Sequence, residues 1–136
     1  MSKYGVLLVG GRRTHQETHG AAFEANPLCH LVGVTEERDI PEYRTEMARQ
    51  LAQIHGVPFM PDLDAALARD DVDIVSMCAD VERRGRVAVR CAEAGKHIYL
   101  DKPVAGNVND ADAIVAAIEK AGVRTQMQNV HIHTGW

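Results

Sequence analysis

Short apolar runs alternate with longer stretches in which apolar residues recur every three or four positions, the pattern of strands joined by helices. The first run, Tyr4 to Val9, is closed by Gly10-Gly11. A helix over about Glu17 to Asn26 leads to the second, Cys29 to Thr35, where Leu31, Val32 and Val34 mark a buried strand. Pro41 then suits a first helical turn, Tyr43, Met47, Leu51 and Ile54 keep helical spacing, and Gly56 supplies the stop. Val57 to Met60 reads as a short strand, and Pro58 puts it at a sheet edge because proline has no N–H for a central ladder. Asp62 caps a short helix, Val72 to Met77 is a fourth strand, and Val81 to Ala94 carries Val81, Val87, Ala88 and Cys91 on one helical face before Gly95. His97 to Leu100 is a fifth strand. Asn107 or Asn109 caps a last helix with the stripe Ala111, Ile114, Val115 and Ile118, Gly122 ends it, and Val123 to Val130 is a sixth strand.

Strands separated by helical crossovers pair in parallel, and each crossover is right-handed. The pattern therefore predicts an α/β fold, a doubly wound parallel sheet between two helical layers in the order 3-2-1-4-5-6. Such sheets bind ligands beyond the carboxyl ends of their strands, where the order reverses. Chemistry is expected in the loops after Val9, Val34, Met77 and Leu100.

Composition narrows the picture. The 136 residues amount to one domain, and 46% hydrophobic with 25% charged residues is ordinary globular composition. A net charge of −4 offers nucleic acid and anionic membranes no general attraction, and the apolar start is too short for a signal core or a membrane span. Cys29, Cys78 and Cys91 are odd in number and scattered, which argues against a disulfide framework and for a cytoplasmic location. Cys78 and Cys91 read as small core residues.

The turn Gly10-Gly11-Arg12-Arg13-Thr14-His15-Gln16 stands where a dinucleotide-binding fold opens from its first strand onto a helix whose N–H groups and dipole cradle a pyrophosphate. Only its first glycine meets the pattern. Arg12 and Arg13 are candidates to meet phosphate through their side chains. Glu36, at the end of the second strand, is a candidate acceptor for the adenosine ribose hydroxyls and favours NAD over NADP; Arg38, or Arg12 and Arg13, would instead hold a 2′-phosphate.

The segment Glu93-Ala94-Gly95-Lys96-His97-Ile98-Tyr99-Leu100-Asp101-Lys102-Pro103-Val104-Ala105 resembles the EAGKHV-x-x-EKP-x-A signature of the glucose–fructose oxidoreductase, inositol dehydrogenase and MocA-type (Gfo/Idh/MocA) family, with Asp101 in place of Glu. The likeness extends to the glycine turn with His19 after it, the Tyr43 to Gly56 helix, Pro61-Asp62-Leu63, the Asp71 to Val75 strand and the Asp110 to Gly122 helix. It implies a Rossmann-type NAD(P)-binding domain and hydride transfer to or from a secondary alcohol of a sugar, cyclitol or related polyol. Lys102 is then the catalytic candidate, an ammonium that positions the carbinol and offsets its developing negative charge. Gly10, Gly11, Arg12 and Arg13 address the pyrophosphate, Glu36 the ribose, Asp80 or Val81 the region near the nicotinamide, and Asp101 the cofactor. Where the family has a Thr-Pro-Asn-x-x-His stretch, this chain has Ala79-Asp80-Val81-Glu82-Arg83-Arg84, with charged side chains for compact neutral ones.

Residues 1–136 thus read as the nucleotide-binding domain alone, without the family's C-terminal substrate domain, expected to bind cofactor without turnover and to self-associate as a homo-oligomer. His131 and His133 follow the last strand and are candidates for the substrate pocket. Neither they nor His15 and His19 have partners at metal-ligand spacing, so no metal is expected. A non-catalytic nucleotide-binding or regulatory module, or an interaction domain that kept only the fold, is the alternative.

Overall fold

A computed structural model describes residues 3–128. In chain order the elements are β1 (Tyr4–Val9), α1 (Gln16–Ala25), β2 (Cys29–Thr35), α2 (Glu42–His55), β3 (Phe59–Met60), α3 (Leu63–Leu67), β4 (Ile74–Met77), α4 (Val81–Glu93), β5 (His97–Leu100), α5 (Val108–Ala121) and β6 (Thr125–Met127). The strands form one six-stranded sheet, β3-β2-β1-β4-β5-β6, with every adjacent pair parallel. This is the doubly wound order that the sequence pattern predicts.

β1 sits at the centre, buried on both faces, which is why it reads as an unbroken apolar run. Val6 and Leu8 join Phe23 of α1 and Ala48, Leu51 and Ala52 of α2 on one face. Leu7 and Val9 join Leu63 and Leu67 of α3 and Val87 and Cys91 of α4 on the other. The proline expectation for β3 holds: its strand lies at the edge, and Pro58 contributes only its carbonyl, which accepts from the Val34 N–H at 3.0 Å.

Two helical stripes differ from expectation. Tyr43 and Ile54 of α2 are exposed; Leu51 of the expected stripe is buried, and its buried neighbours on the helix are the small Ala48 and Ala52. Small side chains win there because the turn after β1 comes up against the α2 backbone. In α5 only Ile114 is buried, while Val115 is exposed. Caps match the polar signals: Asp62 accepts from the Ala65 N–H at 3.1 Å, Asn107 rather than Asn109 accepts from the Asp110 N–H at 2.8 Å, and Gly56 and Gly122 end α2 and α5 in the left-handed conformation. Of the expected strand Val123 to Val130, β6 takes Thr125, Gln126 and Met127, which pair to β5, and residues 129 and 130 lie outside the described residues.

Candidate functional site

The order reverses between β1 and β4, and a cleft of about 500 Å³ opens there, lined by Arg13, Thr14 and His15 on one side and Asp80, Asp101 and Lys102 on the other. Three chain segments converge on it, from the ends of β1, β4 and β5, as expected for the reversal point of such a sheet.

Gly10 leaves β1 at φ 100°, the left-handed region that favours glycine, and a Cβ there would lie 2.6 Å from the Cys78 carbonyl oxygen. Its N–H donates to the Thr35 carbonyl at 3.3 Å, so the turn is wedged between the ends of β2 and β4. Gly11 lies against α2, where a Cβ would be 2.3 Å from the Ala48 nitrogen. Arg12 also turns toward α2: its N–H donates to the Met47 carbonyl at 3.1 Å and Nη1 to Gln50 Oε1 at 2.7 Å. Its guanidinium does not line the cleft. Arg13 does, at φ 61° on a non-glycine residue, with its N–H donating to Glu17 Oε1 at 2.5 Å.

α1 begins beside the cleft with His15 at its N-cap position and no side-chain cap. Thr14 Oγ1 accepts the Gln16 N–H at 3.1 Å and the His15 carbonyl accepts the Thr18 N–H at 3.1 Å, so the first turn offers an anion its partial positive charge rather than a row of open N–H groups, and Glu17 opposes it. Sequence reasoning missed the residue that follows. Gln16 is fully buried, and its Nε2 donates to the carbonyls of Val9 at 2.8 Å and Ser76 at 2.7 Å, tying β1 to β4 under the cleft. A glutamine at a predicted helix start reads as solvated, so no pattern signal marks it.

The opposite wall starts at Asp80, whose Oδ1 is 2.7 Å from Arg44 Nη2 and whose Oδ2 is 3.4 Å from Arg83 Nη2. Val81 is half-buried in the same wall. Arg84 runs inward rather than to solvent. Its Nη2 donates to the Ala79 carbonyl at 2.8 Å, and its Nη1 donates to the Asp101 carbonyl at 3.0 Å and to the Pro103 carbonyl. One guanidinium thus holds the loop after β4 to the loop after β5. Burial lowers its pKa, with Asp101 among the groups opposing that shift.

Asp101 is buried and its carboxylate bridges to His15 Nδ1 at 2.9 and 3.1 Å, joining the two walls. Beneath this bridge His19 Nδ1 lies 3.4 Å from Cys78 Sγ and the His19 ring meets Tyr99 edge-on. Burial pushes the His19 pKa down, opposed by Asp101, and pushes the Cys78 and Cys91 thiols up, so neither cysteine is poised as a nucleophile. Lys102 is exposed on the cleft rim and has no ion-pair partner among the described residues.

Glu36 is also at the cleft edge of the sheet, but its carboxylate is taken. It is 2% exposed, and Oε2 accepts from Arg83 Nη1 at 3.0 Å. Burial raises its pKa while Arg83 pulls the other way. His131 and His133 lie outside the described residues. Among the described residues no group of three or more His, Cys, Asp or Glu could hold a metal ion. The cleft offers a phosphorylated nucleotide the positive end of α1 and two exposed cations on its rim, Arg13 and Lys102.

Comparison with known proteins agrees with this geometry. Residues 4–129 match the family model described as oxidoreductase family, NAD-binding Rossmann fold. Over 81 residues, 59% of this chain and 26% of the relative, the sequence is 35% identical to 4-carboxy-2-hydroxymuconate-6-semialdehyde dehydrogenase of Sphingobium sp.. Over 85 residues, 62% of this chain and 25% of the relative, it is 27% identical to myo-inositol 2-dehydrogenase of Thermotoga maritima. The structure of GenD2 from gentamicin A biosynthesis in complex with NAD superposes with a TM-score of 0.80 at 26% identity, covering 93% of this chain and 34% of that one. The chain thus spans between a quarter and about a third of the length of these relatives. The sheet order, the converging loops and the match along nearly the whole chain lead to one conclusion: this chain belongs to the Gfo/Idh/MocA oxidoreductase family and carries its NAD(P)-binding Rossmann fold.

Proposed function

We propose that this chain is the cofactor-binding part of a nicotinamide-dependent dehydrogenase that interconverts a secondary alcohol and a ketone on a sugar, cyclitol or related polyol. The observation that carries the reading is that Lys102, from the loop after β5, lines the same cleft as Arg13 and the start of α1. A pyrophosphate at the α1 N-terminus and an alcohol beside Lys102 then lie at two places in one crevice. The similarity to myo-inositol 2-dehydrogenase supports the polyol class.

Bound in the cleft, the nicotinamide supplies the hydride acceptor or donor. The protein's own residues bind and orient. Arg13 and the positive end of the α1 dipole take the pyrophosphate, with Gly10 and Gly11 shaping the turn that admits it. Asp80 and Val81, at the start of α4, border the nicotinamide end. Asp101 fixes His15 and, through its backbone carbonyl, the Arg84 clamp, so the rim carrying Lys102 is held in place. Lys102 Nζ would donate a hydrogen bond to the alcohol oxygen, and its charge would offset the negative charge that grows there as the hydroxyl proton passes to water while the hydride passes to the nicotinamide. The remainder of the substrate pocket is assigned to segments outside this cleft, and His131 and His133, which lie outside the described residues, are candidates to contribute to it.

Titration of the chain with NADPH and with NADH, followed by nicotinamide fluorescence, tests this reading. Saturable binding, weakened when Arg13→Ala removes a rim cation, is the expected result. Absence of saturable binding of either nucleotide at millimolar concentration overturns the assignment and leaves shared ancestry alone.

A further inference from the structure

The carboxylate that sequence reasoning assigns to the ribose is already engaged, and the residue that engages it comes from the other half of the sheet. Arg83 stands in the first turn of α4, after β4, whereas Glu36 follows β2. β1 lies between β2 and β4, so the Arg83 side chain reaches across the end of the central strand to make this contact. Arg83 Nη1 donates to Glu36 Oε2 at 3.0 Å and to Glu37 Oε1 at 2.9 Å, while Nη2 lies 3.4 Å from Glu36 Oε1. Glu36 Oε2 also accepts the Glu37 N–H at 3.3 Å. Both oxygens of Glu36 are therefore occupied, in a buried pair.

We propose that Arg83 sets the nucleotide choice: it withdraws Glu36 from the ribose 2′,3′-diol and offsets its charge, so the ribose end of the cleft loses its discrimination against a 2′-phosphate and takes NADP(H) as well as NAD(H). This rests on the dinucleotide-binding reading above. A carboxylate discriminates against NADP in two ways, by accepting from the diol hydroxyls and by repelling the added phosphate. Its pairing with Arg83 removes the first and cancels much of the second.

The surrounding charges point the same way. Glu37 is shared with Arg86 Nε at 2.9 Å and Arg90 Nη1 at 3.3 Å, so its charge is met by three guanidiniums and does not draw Arg83 away from Glu36. Asp80 is held by Arg44 at 2.7 Å. Arginine suits this role better than lysine because its planar fork holds the two neighbouring carboxylates at once.

Dissociation constants of the chain for NADPH and NADH, and for adenosine 2′,5′-bisphosphate and 5′-AMP as probes of the ribose end alone, measured by calorimetry, test the proposal. The wild-type chain is expected to bind NADPH and the bisphosphate within about threefold of their counterparts without the 2′-phosphate. Arg83→Gln should shift that ratio by about tenfold toward NADH and 5′-AMP as Glu36 is released. Glu36→Gln, which keeps the guanidinium and does not depend on Arg83→Gln folding, should leave the ratio within about threefold of the wild-type value. Binding of NADH and 5′-AMP by the wild-type chain about tenfold or more tightly than the phosphorylated ligands overturns the inference while leaving the dinucleotide reading intact. Loss of NADH binding in Glu36→Gln does the same. If neither dinucleotide binds, the dinucleotide reading itself fails, and this inference with it.

Discussion

Gln16 and Ser76 hold each other from opposite sides of the strand reversal: Gln16 Nε2 donates to the Ser76 carbonyl at 2.7 Å, and the Ser76 hydroxyl donates back to Gln16 Oε1 at 2.7 Å. The same amide also donates to Val9, so a single buried side chain sets the spacing of β1 and β4 beneath the cleft. Gln16→Ala leaves these groups without partners in a dry interior and is expected to lower stability by about 1–3 kcal/mol in urea unfolding. A change below about 0.5 kcal/mol, the range of ordinary surface substitutions, contradicts a structural role for the pair.

Arg84 makes a second prediction. Its fork spans Ala79, Asp101 and Pro103, three carbonyls on two loops, a reach that a lysine ammonium does not reproduce. Arg84→Lys should therefore lose stability, by about 1.5–3 kcal/mol, and speed hydrogen exchange in the loops after β4 and β5. Unchanged exchange in both loops is the outcome against it.

Lys102 predicts the opposite. It is exposed and without an ion-pair partner among the described residues, so Lys102→Ala should move stability by no more than about 0.5 kcal/mol. In an enzyme containing this domain the same change should abolish turnover. A large fall in the thermal midpoint would assign the residue to the fold instead.

The pH dependence of stability follows from His19. Burial, opposed by Asp101, holds its pKa below the ordinary 6.5. The unfolded chain then takes up the proton first, so the His19 contribution is fully present above pH 6.5 and is lost as pH falls toward the lowered folded value. His19→Gln should flatten the slope of stability against pH in that window. Identical slopes for the two proteins contradict the burial account.

The frame of this fold is legible in residue order because its strands and caps are local signals. Tyr4 to Val9, Cys29 to Thr35 and His97 to Leu100 coincide with the observed strands, and Asp62, Gly56 and Gly122 do what their residue types suggest. The inward-facing arginines are not legible. Arg83 and Arg84 lie in a helix whose apolar stripe is Val87, Ala88 and Cys91, and charged residues beside such a stripe read as solvated; only the approach of β2 and of the loop after β5 gives them partners. For the same reason Glu36 reads as free to meet a ribose, whereas its engagement depends on a residue 47 positions later. Tyr43 and Ile54 mislead differently, since large apolar side chains suggest the buried face of α2, but of that stripe only Leu51 is fully buried and the close approach of Gly11 is met by the small Ala48.

The most direct test of the central claim, that the crevice between β1 and β4 receives a nicotinamide dinucleotide with Lys102 at its reacting end, is a backbone amide NMR titration of the chain with NADPH. Saturable shifts concentrated in Gly10 to Gln16, Ala79 to Val81 and Asp101 to Lys102 are the expected result. Shifts confined to other surfaces, or none that saturate, contradict it.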